Sequence, residues 1–216
     1  MGFISNTTSF TRYRVKDPLP VDYKEKYPID IRRHAFREIE DTPDIERSVG
    51  WVNIMNVMDS EFRGDEFFKN EFIALSLRID NKKIPSDILK KQCSKTEEKR
   101  KTDLGREFIS KEERQEIRET VKLDLLKRII PHTSIYDMIW NLKTGLVFFS
   151  SLSDNLYTEF VDLFKKTFEL NLHQLFPYSI AEDILKDDQK ASLENIAPIS
   201  FIPKISNKKE HIEWIQ

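Results

Sequence analysis

Cysteine is nearly absent from this chain: Cys93 stands alone among 216 residues, so no internal disulfide can form. Glycine is scarce as well. None of the five glycines falls in the GxxxxGK or GxGxxG spacing that cradles phosphates. His34, His132, His173 and His211 are solitary, with no HxH or HExxH, and Cys93 has no second cysteine to pair with. The pattern therefore predicts no metal site and no cofactor. The serines, Ser150 and Ser153 among them, lack a nucleophile-elbow context. Apolar runs fall far short of the roughly 20 residues that a membrane span requires, and no basic-then-apolar leader opens the chain. Both features predict a soluble, cytoplasmic protein. Neither sign of charge dominates either: 35 Lys and Arg meet 37 Asp and Glu, a net charge of −2. Taken whole, that balance argues against a strongly cationic nucleic-acid binder.

What is present is enough apolar sequence for one core, since a chain of this length buries about 70% of its unfolded surface. Thr11, Tyr13 and Val15 alternate with Arg12 and Arg14, a period-2 strand ended by Pro18 and Pro20. Val21–Phe36 has helical spacing, with Pro28 placed to open a second helical segment. An acidic loop from Glu38 to Glu46 precedes a strand running from about Val49 to Ile54. Phe72–Asp80 is the clearest strand of the chain.

From Lys82 to His132 all strand signal disappears. Pro85 suits the first turn of a helix whose apolar stripe is Ile88, Leu89 and Cys93, and Gly105 interrupts it. Ser110 and Glu113 form a capping box that opens a second helix, expected to run to about Ile130 with Ile117, Val121, Leu125 and Ile129 in one row. Two further strands, Ile135–Trp140 and Leu146–Ser151, flank a five-residue turn ending in Gly145. Ser153 then stands where it can cap a helix carrying Leu156, Phe160, Leu163, Phe164 and Phe168. Strands and helices are segregated rather than strictly alternating, which predicts an α+β fold: an antiparallel-rich sheet, packed helices and a long basic helical pair. The expected division is residues 1–182 as the folded domain and 183–216 as a weakly packed polar tail.

The net charge conceals an uneven distribution. Residues 82–132 hold 15 Lys and Arg against 10 Asp and Glu, a local charge of +5, which leaves −7 for the remainder. Lys91, Lys95 and Lys99 stack on one face of the first helix; Lys111, Arg114, Arg118 and Lys122 do so on the second. Cations at such spacing can follow a phosphate backbone with no base contact. The plainer account is a solvated helical surface, in which Glu97/Lys101 and Asp124/Arg128 are ordinary i,i+4 pairs. No aromatic residue lies between Phe72 and Phe108, so this stretch offers no base-stacking platform. One catalytic pattern competes. Asp80-Asn81-Lys82 follows a strand, and an acidic-x-Lys there occurs in metal-dependent nucleases, with Asp59 or Asp65 as a partner carboxylate for Mg²⁺. A strand ending in polar residues is also commonplace.

Several segments in order resemble the recombination-associated protein RdgC family, in its shorter, RdgC-like branch. They are Thr11-Arg-Tyr-Arg-Val15, His34-Ala-Phe36, Gly50-Trp-Val52, Leu75-Ser-Leu-Arg-Ile-Asp80 with Lys82, Lys83 and Pro85, and Phe108-Ile-Ser-Lys-Glu112 with Val121-Lys122. Leu125, Leu126, Arg128, Pro131, Asp137, Trp140-Asn141, Thr144-Gly145, Val147 and Phe149 continue the likeness, which covers roughly residues 3–182. The resemblance implies an α+β protein that binds DNA without strong sequence preference, favours duplex, and encircles it as a ring-shaped homodimer. It further implies a nucleoid-associated role in recombination and replication, limiting the RecA recombinase by occupying DNA, with residues 82–131 on the DNA-facing surface. Family members also carry the label of exonuclease. Long members extend beyond this length and close the ring with their C-terminal part, whereas this chain ends at His211-Ile-Glu-Trp-Ile-Gln216; the second closing contact is expected to differ. At the dimer contact where long members have an aromatic just past the helix-ending proline, this chain has Ser134, with Tyr136 two residues on. Three functional readings stand side by side: a non-catalytic DNA-binding protein, a Mg²⁺-dependent exonuclease using Asp80 and Lys82, and a helical protein-interaction module.

Overall fold

The longest unbroken run of buried residues organises the molecule. Ile73, Leu75, Leu77 and Ile79 of strand β4 (Phe72–Asn81) point to one face of the sheet, and Ala74, Ser76, Arg78 and Asp80 to the other; all eight are buried. The computed structural model describes residues 2–3, 7–40, 42, 45–64 and 66–193. In chain order its first elements are β1 (Thr11–Val15), helix α1 (Tyr23–Arg33), β2 (Arg47–Asn53), β3 (Phe68–Lys69) and β4. Then come α2 (Ser86–Leu104), α3 (Lys111–Leu126), β5 (His132–Asn141), β6 (Leu146–Phe149), α4 (Asp154–Phe168) and β7 (Leu172–Gln174). The strands form one antiparallel seven-stranded sheet in the order β2-β4-β5-β6-β1-β7, with β3 also paired to β4. This is the expected α+β architecture.

Helices α1 and α4 cover the core face of the sheet. Phe160, Phe164 and Phe168 recur at helical spacing along α4 and are fully buried, with the Phe160 ring stacked on Phe149 of β6 at 4.0 Å. Trp51 is buried beneath α4 and donates its indole N–H to Thr167 Oγ1 at 2.8 Å. Beside it, Gly50 has no room for a side chain: a Cβ there would lie 2.5 Å from the backbone of Phe36, where residues 34–36 cross β2 and pair with Trp51.

Some boundaries differ from the sequence expectation. Pro28 opens no second helix and sits inside the single helix α1, because its ring is buried with Tyr27 and Ile31 and that burial offsets the missing backbone hydrogen bond. Ser153 occupies the N-cap position of α4 without a side-chain cap bond. Helix α3 stops at Leu126, short of Ile130, and β5 begins directly after Pro131, so that Asn81 and His132 face each other as the last pair of the β4–β5 ladder. The short strands β3 and β7 carry too few residues for a periodic signal.

The described residues divide into two compact units, one up to Leu175 and one from Phe176. In the second, α5 (Pro177–Ile184) and α6 (Asp187–Leu193) are described, the latter within the stretch expected as tail. Lys208, Lys209 and His211 lie outside the described residues, as does Asp65.

Candidate nucleic-acid interface

Because Asn81 pairs with His132, everything between them is an excursion from two strands that are already neighbours. That excursion is a helical hairpin, an arm. Ser110 Oγ accepts the Glu113 N–H at 3.1 Å while the Glu113 carboxylate accepts the Ser110 N–H at 3.0 Å, the capping box the sequence announced. The backbone bond, joined by Arg106 nearby, holds the Glu113 carboxyl below the usual carboxylate range. Gly105 does more than interrupt: with φ of 61° it is the left-handed C-cap of α2, and its N–H returns to the end of the helix. The two helices pack on each other around a small core of Ile109, Ile117 and Val121, supported by Leu89, Cys93 and Leu125. Neither helix packs extensively against another element among the described residues.

Charge on the arm sorts into paired and unpaired groups. Arg100 reaches Glu116 at 3.3 Å and Arg114 reaches Glu97 at 3.8 Å, both across the hairpin. Arg106 meets Glu113 at 3.8 Å, and Lys127 meets Asp124 at 3.7 Å. Glu97 and Asp124 thus pair with Arg114 and Lys127 rather than with the i+4 partners Lys101 and Arg128, because the second helix brings a guanidinium to Glu97. Lys122 reaches the body of the molecule: its ammonium meets Glu46 of the acidic loop at 2.5 Å, and that contact raises its pKa. Lys91, Lys95, Lys99, Lys111 and Arg118 make no ion pair with a described residue, and all five are exposed.

The seven sequence-nominated cations do not form one surface. Lys91, Lys95 and Lys99 each follow by two residues a position turned toward α3, namely Leu89, Cys93 and Glu97, and two residues is about 200° of helical rotation. They form a ridge on the far side of α2. Lys111, Arg114 and Arg118 instead line a groove between the helices, together with Lys90, which sequence reasoning passed over. Lys90 sits one residue from the ridge, and only the position of α3 distinguishes it. At the arm's tip Phe108 is 80% exposed, a large aromatic offered to solvent beside the end of α2. The loop between two strong helix signals was its only sequence cue.

The other candidate pair lies at the root of the arm. Arg78 and Asp80 are two apart on β4 and so share a face, and the Arg78 guanidinium grips the carboxylate through two bonds of 3.1 and 2.8 Å. Arg78 also holds Glu38 at 2.9 Å and stacks on the Phe36 ring at 4.1 Å. Burial alone would lower its pKa, but the bond to Asp80 and the two negative charges outweigh it and raise it. Lys82 is 3% exposed and donates to the carbonyls of Glu40 and Thr42 at 2.9 and 3.1 Å. Asp59 accepts N–H groups from Glu61 and Phe62, an aspartate-centred turn.

A protein-family model described as “Putative exonuclease, RdgC” matches residues 8–185. The chain belongs to the RdgC family. No curated protein matches it significantly. The match spans the whole arm, so this hairpin is part of the RdgC region of the chain rather than an addition beside it. The family description raises the question of nuclease carboxylates, and here the geometry is specific. Asp80 spends both oxygens on Arg78, and Lys82 spends its ammonium on two backbone carbonyls. Among the described residues, no group of three or more His, Cys, Asp and Glu converges as a metal-holding cluster. No helix among them is long and apolar enough to cross a membrane. Tyr136, two residues past Ser134, packs toward the core, its ring 6.0 Å from Phe149.

Proposed function

We propose that this RdgC-family chain binds duplex DNA through the phosphate backbone, without reading sequence, and that the α2–α3 arm supplies the contacts. One observation carries the reading: a hairpin that joins two already paired strands, packs chiefly on itself, presents unpaired cations in rows, and lies in a segment, residues 82–132, of charge +5 in a chain of net −2. A segment with so little part in the core has another use, and rows of cations at one-turn spacing suit a polyanion. Lys91, Lys95 and Lys99 span about 12 Å, and Lys111, Arg114, Arg118 and Lys122 about 16 Å, at ~1.5 Å rise per residue. Each neutralised phosphate releases counterions, so affinity falls steeply with salt, the slope of log K against log salt being about −0.9 per contact. The proposal extends to a homodimer on DNA and to a recombination-related role in which occupied DNA is denied to the RecA recombinase.

Electrophoretic mobility shift of unrelated duplexes at two salt concentrations, with light scattering alongside, tests this. Lys91→Glu/Lys95→Glu/Lys99→Glu and Arg114→Glu/Arg118→Glu should each weaken binding and flatten the salt slope by about 0.9 per lost contact, equally for every sequence. Undiminished binding in both variants removes the arm from the reading, and a dependence on base sequence removes the backbone mechanism. The family description favours a second reading, a Mg²⁺-dependent exonuclease. Digestion of labelled duplex that requires divalent metal and vanishes in Asp80→Asn, with the fold intact by circular dichroism, would establish it.

A further inference from the structure

The groove between α2 and α3 has a composition that phosphate binding leaves unexplained. It encloses about 350 Å³, and its floor is apolar, made of Leu89 and Cys93. Lys90, Lys111, Arg114 and Arg118 stand on its walls against the single carboxylate of Glu97, which Arg114 meets at only 3.8 Å. Phosphate groups have no apolar part to place on that floor. None of the lining residues is aromatic, so a base finds no ring to stack on. Cations surrounding an apolar floor complement a carboxylate-rich chain that also carries an aliphatic side chain.

The α3 row already shows this chemistry once. Lys122, one turn beyond Arg118, is met by Glu46 from an acidic loop that carries the sequence Glu38-Ile-Glu-Asp-Thr-Pro-Asp-Ile-Glu46. Toward the tip, Arg118 and Lys111 continue the row without a carboxylate partner among the described residues.

We propose that this groove docks an extended acidic segment of a partner protein, its aliphatic side chain on Leu89 and Cys93 and its carboxylates on Lys90, Lys111, Arg114 and Arg118. The wall from Ser86 to Glu97 rises about 16 Å, which accommodates roughly five residues of extended chain. The assignment is independent of DNA binding. Where both ligands are present they compete for Arg114 and Arg118, while the Lys91–Lys95–Lys99 ridge stays available to phosphates.

Fluorescence anisotropy of a labelled Asp-Asp-Leu-Asp-Asp-Leu peptide against the full chain tests the docking, with duplex mobility shift run in parallel on the same variants. Arg118→Glu and Lys90→Glu should each weaken peptide binding by about tenfold or more, since each places a carboxylate where the ligand's own must sit. Replacing both leucines of the peptide by serine should weaken it by about tenfold as well, because the apolar burial is lost. The ridge variant Lys91→Glu/Lys95→Glu/Lys99→Glu should alter peptide affinity by less than about twofold while weakening duplex binding. The proposal is overturned if the peptide fails to bind at low salt, if the serine peptide binds equally well, or if the ridge variant loses as much as Arg118→Glu. Two other occupants have their own signatures. If the peptide does not bind, an oligothymidylate lost in Lys90→Glu reassigns the groove to nucleic acid, and a dimer that dissociates in Arg118→Glu reassigns it to a second copy.

Discussion

The sheet body and the helical arm treat charge in opposite ways. In the body, Arg78, Asp80 and Lys82 are buried, and each is matched by partners at hydrogen-bond distance. On the arm, cations outnumber acids, and its ion pairs are exposed, several near 4 Å. Buried ions need complete partners because desolvation costs several kcal/mol per ion, whereas exposed pairs contribute about 0–1 kcal/mol. The body therefore uses charge to hold a loop onto the sheet, and the arm keeps charge available to ligands. Apolar packing follows the same division: a continuous aromatic core under α1 and α4, against three buried residues between α2 and α3.

The sharpest way to break this contrast is to cut each core. Phe160→Ala should destabilise the whole domain by about 3–5 kcal/mol, lowering the midpoint of chemical denaturation. Ile117→Ala removes a comparable share of the smaller cluster and should cost the arm about 2–4 kcal/mol, seen as faster amide exchange across residues 86–126 with the sheet amides unmoved. A fall in the global midpoint as large as that of Phe160→Ala would mean that arm and body fold as one cooperative unit.

Next comes the buried pair. Asp80→Asn leaves Arg78 buried with only the half-exposed Glu38 carboxylate, and should cost about 3 kcal/mol by thermal melt. Arg78→Met/Asp80→Leu, which removes both charges, should recover much of it. Equal damage from the single and double variants would show that shape, not charge balance, governs that site.

Capping effects are smaller. Ser110→Ala should loosen α3 by about 1 kcal/mol. The Glu113 carboxyl of the same box titrates below its ordinary 4.5 in the folded chain, so its contribution is fully present above about pH 4.5 and is lost as pH falls through the lowered value. Arm exchange should accelerate there, and in Glu113→Gln that step should be absent. Smallest of all, Lys91→Glu/Lys95→Glu/Lys99→Glu should change stability by less than about 0.5 kcal/mol per site, because those side chains are exposed and make no ion pair with a described residue.

Periodicity made much of this readable from residues alone. The alternation of β4, the aromatic row of α4 and the Ser110/Glu113 box each rest on contacts within one element or a few residues, and the structure has all three. Asp80 and Lys82 were readable only as types. The role of Lys82 depends on the carbonyls of Glu40 and Thr42, about forty residues upstream, and Arg78, the partner of Asp80 on the same strand face, is met by Glu38 from the same distant segment. The cations divided in the same way: spacing put Lys91, Lys95 and Lys99 on one line, but spacing is silent about which side of α2 faces α3.

What the sequence determined by itself, then, is what short range can determine: the two periodicities, the caps, the proline and glycine stops, and the concentration of positive charge between Lys82 and His132. The tertiary structure alone decided that this segment leaves and rejoins one strand pair, that Lys90 belongs to a groove and Lys91 to a ridge, and that Lys82 serves the carbonyls of Glu40 and Thr42. Those outcomes depend on which distant surfaces meet, and meeting is governed by the burial of β4 on both faces, a long-range property that no local pattern encodes.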